Sequence, residues 1–155
     1  PRFVDMGVDP YLIAPTLIAT IGQRLVRRLC PGAGEEIPMT ESLRGLLDKE
    51  FIDLSPEARA KIPAFEHLYK PGRSPECPNG TRGRIGVFEI LRMTKDLEHA
   101  VLTNPVEEVI YPIARKAGMI TMREDAIIKA LQGIIPFSEV NTLGGQLFAE
   151  EEEAP

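Results

Sequence analysis

Arg84-Ile-Gly-Val-Phe-Glu-Ile-Leu91 is the stretch on which the fold turns. Ile85, Val87 and Glu89 fall on one face and Phe88 and Ile90 on the other, an alternation of β-branched and aromatic residues that predicts a strand. Its simplest partner is Arg24-Leu-Val-Arg-Arg-Leu29, a short apolar and basic run stopped by Cys30-Pro31-Gly32. Paired antiparallel, the two segments make residues 31–82 an inserted lobe whose ends must meet. Closing a loop of that length costs little extra entropy.

Upstream, Asp9 is a good helix N-cap and Pro10 a good first helical residue. The spacing of Leu12, Ile13, Leu17, Ile18 and Ile21 predicts one buried helical face, with a bend or late start at Pro15. The lobe carries half of the chain's 14 prolines. Two short helices are expected in it, Glu41 to Glu50 behind Thr40 and Pro56 to Lys61 behind Ser55, followed by a loop from Lys70 to Gly80. Leu46, Leu47, Phe51, Ile52, Leu54, Phe65 and Leu68 are the candidate core of this lobe.

Downstream the pattern is helical. Thr94 caps Lys95 to Leu102, and Asn104-Pro105-Val106-Glu107 predicts a second start. That helix would bury Val106, Val109, Ile110, Ile113, Ala114 and Ala117 and stop at Gly118. Thr121-Met-Arg-Glu124 is a capping box opening Asp125 to Gln132, with Gly133 as the stop and a last short helix from Pro136 to Thr142. Leu143 to Pro155 is acidic and is expected to be a mobile tail. The fold class is thus α+β and mostly helical: residues 1–30 as helix plus strand, 31–82 as lobe, 83–143 as strand plus helices, 144–155 as tail.

Composition bounds the function. The 155 residues are 43% hydrophobic and 26% charged, a globular balance, and the formal net charge of −5 argues against nucleic acid as a partner. The longest apolar run, Tyr11 to Gly22, is broken by Pro15 and falls short of the roughly 20 residues of a membrane span. Two cysteines exclude a disulfide framework and point to a reducing compartment. Because the chain opens on Pro1, a piece of a longer protein is expected.

Residues able to carry chemistry are few. There is no Walker-type loop, no His-Glu-x-x-His and no Gly-x-Ser-x-Gly elbow, and His67 and His99 lack evident partners, so no catalytic residue is assigned. Arg24, Arg27, Arg28, Arg82 and Arg84 cluster on the paired strands, suited either to an anion or acidic neighbour or simply to a solvated strand face. Cys30-Pro-Gly-Ala33 and Ser74-Pro-Glu-Cys77 each lack one cysteine of a Cys-x-x-Cys zinc half-site.

Asp5-Met-Gly-Val-Asp-Pro-Tyr-Leu-Ile-Ala14, Gln23-Arg-Leu-Val-Arg-Arg-Leu-Cys-Pro31, Gly83 to Leu91, Gly118-Met119 and Asp125 to Gly133 resemble, in order, the C-terminal part of the secretion ATPases, the motors of type II secretion and type IV pilus assembly. The resemblance implies a cytoplasmic P-loop ATPase, acting as a homohexamer with ATP and magnesium against an inner-membrane platform protein. Its Walker motifs would lie outside this sequence. The strand pair would be the C-terminal edge of a RecA-like motor domain, the lobe a tetracysteine zinc subdomain and the last helices a subunit-packing subdomain. Gln23 and Arg24 would then be nucleotide-proximal, and Cys30 and Cys77 the remnants of a degenerate metal site that holds no zinc. His67 is a conceivable third ligand. A Cys30–Cys77 disulfide is sterically conceivable, although a cytoplasmic protein is expected to keep both thiols reduced. The chain departs from the family in its two missing cysteines and in Pro15. The alternative from the residues alone is a stand-alone module that binds a protein or anion and has no enzymatic activity.

Overall fold

The computed structural model describes residues 2–144, so the expected acidic tail falls almost wholly outside the described residues. The order is α1 (Arg2–Asp5), α2 (Pro10–Thr16), β1 (Ala19–Leu29), β2 (Gly34–Pro38), α3 (Glu41–Glu50), α4 (Pro56–Arg59), β3 (His67–Pro71), β4 (Thr81–Arg92), α5 (Lys95–Thr103), α6 (Glu107–Lys116), α7 (Met122–Leu131) and α8 (Ser138–Asn141). The chain is α+β. No helix among the described residues is long and apolar enough to cross a membrane.

β1 and β4 pair antiparallel, with Arg24 opposite Val87 and Val26 opposite Ile85, as the alternation in β4 predicts. Val26 and Val87 are buried beneath α7. The helix expected to include Ile18 and Ile21 instead ends at Thr16, and Ile18 already accepts the Met93 N–H at 2.9 Å beside the strand ladder. Pro15 and the β-branched run Thr16, Ile18, Thr20, Ile21 favour the extended chain over another helical turn.

The inserted lobe holds a second antiparallel pair, β2 with β3, which the sequence did not announce. Each strand has five residues, and Gly34 pairs with Pro71 across 37 positions, so no local pattern marks them. Lys70 and Pro71, expected in a loop, close β3. Helix α3 stands as expected and α4 stops two residues early, at Arg59, each opened by its hydroxyl cap: Thr40 accepts the Leu43 N–H at 3.2 Å and Ser55 the Ala58 N–H at 3.3 Å.

The lobe has no separate core. Leu47, Phe51, Leu54, Phe65 and Leu68 join Val26 and Val87 of the strand pair and Ala126, Ile127, Ala130, Ile135 and Val140 of the C-terminal helices in one cluster. Ile52, expected inside, is 79% exposed, and Leu46 is half-buried. A domain of this size gains most by burying one contiguous core.

Helix α6 begins two residues later than Asn104-Pro105 suggests. Asn104 instead ends α5, its N–H bonded to Ala100 O at 2.8 Å, and Val106 precedes α6 without a side-chain cap. Of its expected stripe Ala114 is buried, Val109, Ile110 and Ile113 are half-buried, and Val106 and Ala117 are exposed. The capping box at Thr121 and Glu124 is formed in full. Gly118 and Gly133 stop α6 and α7 at φ +86° and +68°, a backbone that glycine adopts without a Cβ penalty.

Candidate functional site

The β1–β4 pair gathers the residues that the sequence singles out. Arg27 lies directly opposite Arg84, and an irregularity beyond them sets Arg28 against Arg82 and Gly83 (φ +73°). All four arginines and Arg24 are exposed. Arg27 is partly neutralised by α8: its N–H donates to Glu139 Oε2 at 2.9 Å, while its Nε lies 4.0 Å from Glu139 Oε1. Like charges facing one another across a ladder destabilise it, so this end of the sheet suits an anionic group. Gln23 is exposed opposite Phe88, and Arg24 is exposed opposite Val87.

The outer face of the same sheet is apolar and open. Ile21 pairs with Ile90 and Leu25 lies four residues on along the same face, both more than half exposed. In an antiparallel ladder the backbone groups of alternate residues turn outward. At Phe88 and Arg27 those outward N–H groups are taken by Asp125 and Glu139. Ile21, Gln23 and Leu25 share the outward phase on the β1 edge.

At the base of the lobe Cys30 and Cys77 form a disulfide, which corrects the expectation of two reduced thiols. Strand pairing is the physical reason: Leu29 opposite Thr81 carries the two flanking turns together, so the Cα atoms lie 6.6 Å apart. Ala33 packs with both cysteines in a small buried cluster. His67 is not near them. It opens β3 opposite Pro38, at the far end of the β2–β3 pair, with its Nδ1 3.6 Å from Glu36 Oε2. His99 is exposed on α5.

A buried charge network went unread in the sequence. Arg115 of α6 donates from Nη1 and Nη2 to the two Glu124 oxygens, 2.7 Å each, and from Nη1 to Met119 O at 2.7 Å. Its Nη2 also reaches Asp53, in the turn that follows α3 in the lobe, and Tyr111 donates to the other Asp53 oxygen at 3.1 Å. Burial works against the Arg115 charge, but the hydrogen bonds it donates to Glu124 and Asp53 outweigh it and hold its pKa above the ordinary value. The Arg115 hydrogen bond keeps the Asp53 carboxyl below its ordinary range despite partial burial, and burial pushes the Tyr111 phenol up. Arg115 thereby joins α6, α7 and the lobe. A lone arginine one helical turn beyond Tyr111 gives no sequence signal of this.

Residues 1–142 match the family described as "Type II/IV secretion system protein". A type IV pilus assembly ATPase PilB of Thermus thermophilus is 38% identical over 141 residues, covering 90% of this chain and 15% of that protein. PilB of Pseudomonas aeruginosa and type II secretion system protein E of Xanthomonas campestris pv. campestris are each 34% identical, over 90% of this chain and 23% of their own length. The chain therefore spans less than a quarter of each of these relatives.

Proposed function

The chain belongs to the type II/IV secretion system protein family, and on that premise we propose that it is the C-terminal assembly and coupling portion of a hexameric ATPase that powers type II secretion or type IV pilus assembly. The likeness to pilus assembly and type II secretion ATPases carries this proposal. The 155 residues contain no Gly-x-x-x-x-Gly-Lys-Ser/Thr and thus no phosphate cradle of that type. Bond-breaking chemistry, with ATP and magnesium, belongs in this reading to sequence outside the chain. The mechanism is mechanical: a change in domain orientation driven by hydrolysis passes through the packed strand pair and helices to the next subunit.

The open edge and apolar outer face of β1, at Ile21 and Leu25, support placing the strand pair at the rim of a larger RecA-like sheet. Gln23 and Arg24 on that edge are the candidates for nucleotide proximity, and the helices from α5 onward for packing on a neighbouring subunit. The working place of the whole protein is the cytoplasmic side of the inner membrane, against a platform protein. The stand-alone binding module draws no support from these relatives.

The coding sequence directly upstream of Pro1 tests the proposal. A Walker A motif within about 200 residues, the scale of one further domain, is expected. A start codon immediately before Pro1 would overturn it.

A further inference from the structure

Cys30 and Cys77 sit on matched turns. The Ala33 N–H donates to Cys30 O at 3.0 Å; Cys77 N–H donates to Ser74 O at 3.1 Å, and Ser74 N–H returns to Cys77 O at 3.2 Å. The backbone thus keeps the form of two Cys-x-x-Cys clips, but the donor set does not fit a closed zinc site. Ala33 has no donor atom, and the Ser74 hydroxyl accepts the Cys77 N–H at 3.1 Å. His67 stands four residues, roughly 13 Å of strand, from the neck end of β3. Among the described residues no three metal-ligating side chains lie together. Four N or S ligands are what a structural zinc requires.

We infer that the neck of the lobe is held by a reversible thiol–disulfide couple in place of a metal, and that its redox state governs the segment 72–80. In the reducing direction a dithiol attacks the Cys30–Cys77 bond as its thiolate, passes through a mixed disulfide and closes its own disulfide. Two electrons and two protons move to this chain, leaving two cysteine thiols. In the oxidising direction the two thiols reduce one small disulfide, such as glutathione disulfide, to two thiols and the bond re-forms.

The effect of reduction is local because the lobe has other anchors. Leu47, Phe51 and Leu68 lie in the common core with α7 and α8. Segment 72–80 has far fewer holds: Gly72 N–H to Ala33 O at 2.7 Å, Cys30 N–H to Gly80 O at 3.0 Å, and the disulfide. This segment walls a polar cleft of about 870 Å³, in which its Arg73, Pro78 and Asn79 face Arg27, Ser138 and Glu139. Opening the bond therefore loosens a cleft wall and leaves the lobe seated. The inference stands apart from the ATPase reading and survives its failure.

The test uses the whole chain purified without reductant and dialysed against chelator. Thiols are titrated before and after dithiothreitol, zinc is determined on the same sample, and amide hydrogen exchange is followed in both states. No thiols are expected before reduction and two after it, with zinc far below one per chain. Exchange across 72–80 should quicken at least about tenfold on reduction while Leu47 and Leu68 stay protected, and glutathione disulfide should restore the slow rate. Reduced Ala33→Cys/Ser74→Cys protein offered zinc chloride should retain the metal against chelator where the reduced natural chain does not. Two free thiols that glutathione disulfide cannot close, close to one zinc on the natural chain, or unchanged exchange across 72–80 would each overturn the inference.

Discussion

The Arg115 guanidinium grips the Glu124 carboxylate through two parallel hydrogen bonds of 2.7 Å, with both side chains almost wholly removed from water. Glu124 also accepts the Thr121 N–H at 2.7 Å, so the capping box of α7 and the anchor of α6 share one carboxylate. Removing one partner strands a buried charge, whereas removing both does not.

Arg115→Met is accordingly expected to cost about 3–5 kcal/mol, and Arg115→Met/Glu124→Gln to recover a large part of that loss. Urea unfolding midpoints at unchanged slope measure both. A single variant within about 1 kcal/mol of the natural chain would show that the pair holds little.

Asp53 supplies the pH-sensitive end of the same network. Its pKa is depressed below 3.8, chiefly by the Arg115 hydrogen bond, so its stabilisation is complete above that value and fades as pH falls through the lower folded-state pKa. The side chain is 43% exposed, which limits the effect to less than about 1 kcal/mol. Asp53→Asn should lower stability slightly at neutral pH and flatten the acid limb below about pH 4. Parallel acid limbs for the variant and the natural chain would contradict the assignment.

The common core makes a further demand. Leu47→Ala should cost about 2–5 kcal/mol and leave one cooperative transition, because the lobe and the C-terminal helices share that core. Ile52→Ser, at an exposed site, should stay within about 0.5 kcal/mol. A separate early transition of the lobe, seen in calorimetry, would show that it folds on a core of its own.

Legibility followed the range of the interactions. Caps at Thr40, Ser55, Thr94 and Thr121 are read within four residues, and each is found. The β1–β4 pair was legible because the alternation from Ile85 to Ile90 is long and had one plausible partner. The β2–β3 pair was not, since five-residue strands with Glu35 paired to Lys70 carry no apolar alternation. Arg115, Glu124 and Asp53 are brought together by packing of three separate elements. The two cysteines were visible as a pair of turns, and their expected reduced state rested on compartment rather than on geometry.

Glycine at position 80 is required by space as well as by backbone. Its φ is +67°, and a Cβ there would lie 2.4 Å from Gly72 O. Gly83 has φ +73° with nothing within 4 Å. Gly83→Ala should therefore cost about 1–2 kcal/mol, from the left-handed backbone alone, and Gly80→Ala distinctly more. Equal thermal shifts for the two variants would contradict the close packing of the lobe neck.

The central claim is that this chain couples and assembles while ATP chemistry lies outside it. Phosphate release from magnesium ATP, measured side by side on the 155-residue chain and on the longer gene product with contaminating ATPases excluded, tests it most directly. The account predicts the buffer rate for the chain and sustained turnover for the longer product. Turnover clearly above buffer by the chain alone, or none by the longer product, would contradict it.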